Sequence, residues 1–386
     1  DASESQRFVH APLVLKSSTH CRGSSLYGLW LPMRVLIVGG SGYLGQFLVE
    51  ALAQDGDVLW LGYTFHGSAP LTLDALAALA GGITRCECVG YKVDMATGDG
   101  MAECIAGATA QGRAHLDLVV NCAAISSPGR CEKNEALATA VNVPSAIIAA
   151  LRAGAETRKE VLLRDSASVD SVAAASPPPL SPPPPLLIHL STDQVYGGDS
   201  ASSTVEGCPP APINAYGRSK VAAEAAVRAT WPNHVILRSS IITGPPPPLQ
   251  PVGRPLMTDF IVSSLRGADT VVFFQDEFRC PICVFDILAH VRALARAAPL
   301  YARNQELVTR TFNMGGPDRV SRVDMARRAA SAMHVPDTNV KAAPAASVDR
   351  GVASPADISM DSRELTMATG VTPRGWEEQV RVALVP

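Results

Sequence analysis

From Met33 onward, short continuous apolar runs alternate with amphipathic stretches. "RVLIVGG" reads as a buried strand and "GYLGQFLVEALAQ" as the helix after it. "DVLWLGY" is a second strand, with "LTLDALAALA" as its helix. "RCECVGYKVD" and "LDLVVNCAA" predict two further strands, with helical "MAECIAGATA" between them. "EALATAVNVPSAIIAALRAG" carries a long helical period, interrupted at Pro144, whose missing N–H marks a kink or a boundary. "LLIHLSTD" is the next strand, a helix follows around Tyr216, and "HVILRSSII" is a strand again. Strands that are apolar throughout must be covered on both faces. The pattern therefore predicts an α/β fold built on a doubly wound parallel sheet.

Two breaks divide the chain. Residues 176–185 read "SPPPLSPPPP", and the preceding "ETRKEVLLRDSASVDSVAAA" has no sustained period. Proline cannot supply the ladder N–H, so residues 158–185 are expected to form a Pro-rich, disordered insertion. "GPPPPLQPVGRP" marks the second break. The organisation predicted is a leader over 1–32, a sheet domain over 33–243, and a smaller substrate-binding portion over 244–386 that interleaves with the first.

Composition narrows the field. A net charge of -3 with no basic stripe argues against nucleic acid and anionic membrane as partners. No continuous apolar run approaches the ~20 residues of a membrane span. Cys280-Pro281-Ile282-Cys283 is a single CxxC and Cys86 and Cys88 form a CxC. A structural zinc site needs a second matching pair, so no metal is expected. Nine cysteines, an odd number, fit a reducing compartment. The expected compartment is the cytoplasm, or a plastid if the Ser-rich residues 1–32 act as a transit peptide.

The chemistry begins at "VLIVGGSGYLG", where Gly39, Gly42 and Gly45 stand in a G-x-x-G-x-x-G spacing between strand and helix. Such glycines allow a tight turn and close backbone approach to a pyrophosphate at a helix N-terminus, the mark of a Rossmann-type dinucleotide site. The second strand ends "LGYTFHGS" without the carboxylate that would hold the ribose 2′-hydroxyl of NAD. That leans towards NADP(H), with NAD(H) as the alternative. Asp94 ends the third strand, where it is either an acceptor for an adenine amino group or a simple turn aspartate. Tyr216 and Lys220 lie four apart, on one face of a helix. A neighbouring ammonium lowers a phenol's pKa and makes it a usable proton donor. Thr192 leaves the end of a strand, where open α/β sheets place their ligands.

Together, the glycine turn, "NCAA" (121–124), "STDQVYGG" and "YGRSK" resemble the extended short-chain dehydrogenase/reductases. Within them the likeness is to the dTDP-4-dehydrorhamnose reductase group, which includes the regulatory β subunit of methionine adenosyltransferase. It extends through "DEFRCPICVFDI", "FNMGGP" and "SPADISMD". The resemblance implies a catalytic triad of Thr192, Tyr216 and Lys220, in which Tyr216 protonates the nascent alkoxide, Lys220 lowers its pKa and holds the nicotinamide ribose, and Thr192 hydrogen-bonds the carbonyl. It implies a cofactor site formed by Gly39, Gly42, Tyr43, Leu44, Gly45, Asp94, Met95, Asn121, Ala123, Ala124 and Asn142 with Tyr216 and Lys220. Asp193, Gln194 and Ser239 would meet the substrate.

Departures qualify the likeness. The group's dehydratases read Thr-Asp-Glu where this chain has Thr192-Asp193-Gln194, and an amide cannot take a proton from carbon. The reductases carry an aromatic where Ile241 stands. The implied activity is an NADP(H)-dependent reductase of a keto group on a nucleotide-linked sugar, with a homodimer among the implied assemblies. The alternatives are a regulatory subunit that clasps a methionine adenosyltransferase catalytic subunit, and an NAD-dependent sugar-nucleotide epimerase.

Overall fold

The computed structural model describes residues 33–67, 71, 86–109, 115–168, 184–198, 204–303 and 308–384. The expected leader, residues 72–80 of the helix expected over 71–80, and most of the proline-rich stretch lie outside them.

The strands, in chain order, are β1 (Met33–Val38), β2 (Val58–Phe65), β3 (Glu87–Lys92), β4 (Leu118–Asn121), β5 (Leu186–Thr192), β6 (His234–Ser239), β7 (Ile242–Thr243), β8 (Val271–Phe274), β9 (Phe278–Arg279), β10 (Ile282–Cys283), β11 (Thr309–Met314), β12 (Val320–Ser321) and β13 (Val340–Ala343). The helices are α1 (Tyr43–Ala53), α2 (Met101–Thr109), α3 (Pro128–Lys133), α4 (Glu135–Asn142), α5 (Ser145–Ser168), α6 (Ala215–Thr230), α7 (Met257–Arg266), α8 (Val284–Arg303), α9 (Arg322–Met333), α10 (Arg363–Thr369) and α11 (Trp376–Ala383).

Seven strands form one parallel sheet in the order β11-β6-β5-β4-β1-β2-β3. This is the doubly wound Rossmann arrangement, with its switch point between β1 and β4. Alternate residues of each strand feed two cores. On one face Val35, Ile37, Leu186 and Ile188 meet Phe47 and Leu48 of α1 and Ile287 and Val291 of α8. On the other, Leu36, Val38, Leu187 and Ile236 meet α2, α5 and Val227 of α6. Each fully buried Leu, Ile or Phe contributes about 1.5–3 kcal/mol, which is what clamps these helices to the sheet.

The 24-residue α5 corrects one expectation. Its backbone stays helical to Ser168, so 158–168 continue the helix rather than beginning a loop. At the far side of the insertion, Pro184 and Pro185 are tied down, their carbonyls accepting from Asn233 Nδ2 (2.8 Å) and Trp231 Nε1 (3.0 Å). Residues 169–183 lie outside the description. Glu135–Thr157 is long and apolar enough to cross a membrane by length and composition alone. The fold breaks this stretch at Val143 and Pro144, and buries Ala138, Ile147, Ile148 and Leu151.

A third core lies in the C-terminal portion. Ile261 and Leu265 of α7, Phe273 of β8, Val323 and Ala326 of α9, and Trp376 and Val380 of α11 pack together. The two portions interleave: β7 pairs with β10, while β11 returns to complete the main sheet beside β6. Gln46 on α1 bolts them together. Its side chain donates to Gln250 O (3.0 Å) and accepts from the amides of Leu249 (3.1 Å) and Gln250 (2.8 Å).

Candidate active site

The glycine loop leaves β1 with Gly39 at φ 82°, a conformation that side-chain-bearing residues rarely adopt. A Cβ at Gly45 would sit 2.1 Å from Gly39 O and 2.7 Å from Gly40 Cα, so only glycine lets α1 start this close to the strand end. The N-cap is Gly42, which has no side chain to accept from the first-turn amides. Those amides and the helix dipole therefore remain for an anion, and the loop fits a dinucleotide pyrophosphate. Leu44 is buried in the core, so only its backbone can serve a cofactor. The Tyr43 hydroxyl donates to Pro245 O at 2.9 Å, closing the loop against the C-terminal portion.

Thr64 fixes the end of β2 by accepting from Gly39 N at 2.9 Å. Beyond it, Phe65 and the exposed His66 bring no carboxylate. Asp94 behaves as a turn aspartate: its Oδ1 accepts from Ala96 N (2.8 Å) and Thr97 N (3.4 Å). Met95 packs half-buried against the core on the α2 side.

At the end of β4, Asn121 accepts from Ala123 N (3.1 Å) and donates to Nδ1 of His189 on β5 (3.0 Å). Burial, with Lys220 and His234 nearby, holds the His189 pKa well down, so the ring stays neutral and can accept. Ala123 and Ala124 are half-buried beside the glycine turn. Asn142, buried at the end of α4, accepts from Ile125 N (2.7 Å) and donates to Ile125 O (3.2 Å) and Ser219 Oγ (2.8 Å). It fixes the β4 loop to α6.

Helix α6 begins at Asn214, whose Oδ1 accepts from Gly217 N (2.9 Å). The i, i+4, i+8 period stacks Tyr216, Lys220 and Glu224 along the buried face. Tyr216 is 9% exposed, and its hydroxyl lies near that of Thr192, the last residue of β5, which favours its phenolate form. Lys220 is 2% exposed and donates to Leu190 O at 2.7 Å.

Burial pushes the Tyr216 phenol up, against the opposing pull of Thr192 and Arg254. Burial also pushes the Lys220 ammonium down, to about 8. Lys220 reaches the strand's carbonyl, and desolvation governs both groups.

The three expected substrate residues also read differently. Asp193 is 4% exposed, with both oxygens engaged inside the protein. Ser239 is buried and donates to Ser240 O (2.9 Å). Gln194 is half-exposed, its Oε1 accepting from Asn214 Nδ2 at 2.8 Å. Ile241, at the position where an aromatic was looked for, packs against the C-terminal core.

Several residues went unnoticed in the sequence. Glu224 accepts from Arg238 at both oxygens (2.9 and 2.8 Å) and from Ser191 (2.6 Å), locking α6 onto β5 and β6. Arg238 continues to the Tyr196 hydroxyl (2.8 Å), which donates to Asn313 Oδ1 of β11 (2.7 Å). Arg254 spans the cleft to Ser126 O (3.0 Å) and brings a cation beside Tyr216. Two cavities stand out among the described residues. One, of about 390 Å³, is bounded by Tyr43, Pro246, Leu249, Arg254 and Asp259. The other, of about 540 Å³, lies under the loop Ala345–Ser354 beside Glu132. Its wall is tied to α6 through Ala353 O, which accepts from Asn214 Nδ2 (3.0 Å), and Glu132, which accepts from Ala215 N (2.8 Å). Among the described residues no cluster could hold a metal ion, and the eight described cysteines are free thiols.

A family model described as the RmlD substrate binding domain matches residues 184–385. A Haloferax volcanii protein named "Probable low-salt glycan biosynthesis reductase" is 27% identical over 330 residues, which are 85% of this chain and 90% of that protein. A dTDP-4-dehydrorhamnose reductase of Mycobacterium tuberculosis is 31% identical over 208 residues, 51% of this chain and 56% of its own length. Methionine adenosyltransferase 2 subunit beta of Rattus norvegicus is 27% identical over 155 residues, 40% of this chain and 44% of that one. Among solved structures, dTDP-4-dehydrorhamnose reductase from Bacillus anthracis in complex with NADP has a TM-score of 0.62 at 18% identity, covering 91% of this chain and 98% of that one. UDP-glucose 4-epimerase from Bifidobacterium longum, in complex with NAD+ and UDP, has a TM-score of 0.64 at 18% identity, covering 91% and 97%. At these identities the solved structures speak to fold alone.

Proposed function

We propose, from the premise that this chain belongs to the RmlD substrate-binding-domain family of extended short-chain dehydrogenase/reductases, that it is an NADP(H)-dependent reductase of a keto group on a nucleotide-linked 6-deoxysugar. The observation that carries the reading is the convergence of Thr192 at the C-terminal end of β5 with Tyr216 and Lys220 on the buried face of α6's first two turns, next to a glycine loop shaped for pyrophosphate.

When bound, the nicotinamide cofactor supplies the hydride. The chain's own groups do the rest. Tyr216, its pKa raised by burial, stays protonated throughout the neutral range and holds the proton that the new alkoxide oxygen must receive. Thr192 stands beside it to hydrogen-bond the carbonyl. Lys220, at about 8, is still largely protonated at pH 7 and can turn from Leu190 O to a ribose hydroxyl. Asn121 and Asn142 hold the β4 loop in place around the same end of the sheet. Arg254, exposed at the cleft beside Tyr216, suits the anionic diphosphate of a nucleotide sugar. The strand end at Thr64–Gly67, without a carboxylate, supports NADP(H) over NAD(H).

A second reading, an NADP-binding regulatory subunit of methionine adenosyltransferase, is favoured by Ile241 and by the likeness to subunit beta. The test offers the purified protein NADPH and a panel of nucleotide 4-keto-6-deoxysugars, and in parallel passes a methionine adenosyltransferase catalytic subunit over it on a column. Cofactor oxidation supports the reductase. Silence across the panel together with a stable complex supports the regulator.

A further inference from the structure

Asp193 follows Thr192 directly but lies too deep to reach a ligand with its own oxygens. The Thr192 hydroxyl donates to its Oδ1 at 3.1 Å, and the Ser240 hydroxyl donates to its Oδ2 at 2.9 Å. Ser240 Oγ is itself held by Cys280 N at 3.3 Å. The charged and titratable groups that face Asp193 come from several elements: Arg279 from β9, Arg322 from α9, Tyr216 from α6, and Cys280 after β9. Burial raises the carboxyl pKa, and the two guanidiniums and two hydroxyls oppose that rise without cancelling it.

A threonine hydroxyl has a single proton. Thr192 Oγ1 already accepts from Gln194 N at 3.2 Å and lies near the Tyr216 hydroxyl. An ionised Asp193 is an acceptor only, so it keeps the Thr192 proton on its own side. Thr192 then presents only lone pairs to Tyr216 and to a carbonyl, which is the wrong polarity for polarising a C=O group. A neutral Asp193 can donate to Thr192 Oγ1 instead. The Thr192 proton is then free to turn towards the cleft and donate to the carbonyl oxygen beside Tyr216.

We propose that Asp193 is a positioning residue whose protonation state sets the direction of the Thr192 hydroxyl, with the neutral carboxyl as the form that lets Thr192 donate to the substrate carbonyl. No proton is consumed in this reorientation; the one delivered to product still comes from Tyr216. The inference rests on the reductase reading and deepens it. It also explains why a carboxyl is useful where the ligand itself cannot reach it.

The sign is fixed. Neutral Asp193 is the active form, so kcat/KM is full below its pKa and falls about tenfold per pH unit above it, well before Tyr216 loses its own proton. Asp193→Asn is permanently neutral, and its Nδ2 can donate to Thr192, so that basic limb should vanish. Ser240→Ala removes a donor to the carboxylate, which raises the Asp193 pKa, so the limb should move to higher pH. A substrate-free arm measures infrared difference spectra of wild type against Asp193→Asn. These should show a protonated-carboxyl band that persists above about pH 5, where an ordinary aspartate is ionised. An Asp193→Asn profile that keeps the wild-type limb would overturn the proposal, as would an unmoved limb in Ser240→Ala if the first variant does not fold. Absence of the infrared band would overturn it too. If no sugar is turned over, the reductase reading fails and the infrared band alone decides the fate of the Asp193 assignment.

Discussion

Glu224 is the hinge pin of the site, and replacing it with alanine tests this directly. The substitution removes the acceptor for Arg238 Nε and Nη2 and for Ser191 Oγ. Arg238, with a side chain 3% exposed, is left with the Tyr196 hydroxyl and Glu206 O (3.3 Å). Removing one partner of a buried pair costs about 3–5 kcal/mol, because the other charge stays buried and uncompensated. The stranded Ser191 hydroxyl adds roughly 1 kcal/mol. A loss of about 4–6 kcal/mol in urea unfolding at neutral pH is therefore expected. The pH dependence has a definite sign. Burial pushes the Glu224 carboxyl up, but Arg238, Ser191 and Arg228 pull it further down, to a net value below the ordinary range. Its contribution is thus complete above the unfolded-state pKa and is lost as pH falls through the folded-state value, so wild type and Glu224→Ala should converge in acid. A loss under about 1 kcal/mol at pH 7, or a gap that does not close in acid, would show that the pair does not hold α6.

Three further outcomes are expected. Gly45→Ala forces a Cβ against Gly39 O and Gly40 Cα, an overpacking of about 1–3 kcal/mol, and should weaken NADPH binding roughly tenfold in a fluorescence titration. Calorimetry should find NADPH bound at least as tightly as NADH, and a clear NADH preference would contradict the reading of the β2 strand end. Lys220→Ala should raise the NADPH dissociation constant while leaving the fold intact by circular dichroism, since among the described residues its Nζ bonds a single backbone carbonyl; unchanged affinity would remove Lys220 from the cofactor site.

How much of this was legible in the chain depends on how far apart the partners lie. The inner strands of the main sheet announce themselves because both of their faces are buried, as all seven residues of β5 are, whereas the edge strand β3 buries none of its residues fully. The glycine turn and the Tyr216–Lys220 pair are readable because their geometry is set within one turn or one helix face. Helix α5 is not readable beyond Gly154, where its apolar period fades although the backbone stays helical. Glu224, Arg238 and Asn313 looked like ordinary polar residues, since nothing local shows that three elements close around them. Asp193 was read as a substrate contact from its place after Thr192. Its burial depends on Ser240 and on arginines contributed by the C-terminal portion. Lys220 was placed beside the phenol by helical spacing, whereas its bond to the Leu190 carbonyl, thirty residues away in sequence, is a contact that spacing does not show.

The central claim is that this site moves a hydride, with Tyr216 as the proton donor. Its most direct test follows NADPH absorbance while the wild-type chain and Tyr216→Phe each meet a dTDP-linked 4-keto-6-deoxysugar. The account predicts that wild type oxidises one NADPH per carbonyl reduced, and that Tyr216→Phe binds NADPH equally well but turns over ~10²-fold more slowly or worse. Equal rates for the two proteins, or no oxidation by wild type that demonstrably binds NADPH and the sugar, would contradict it.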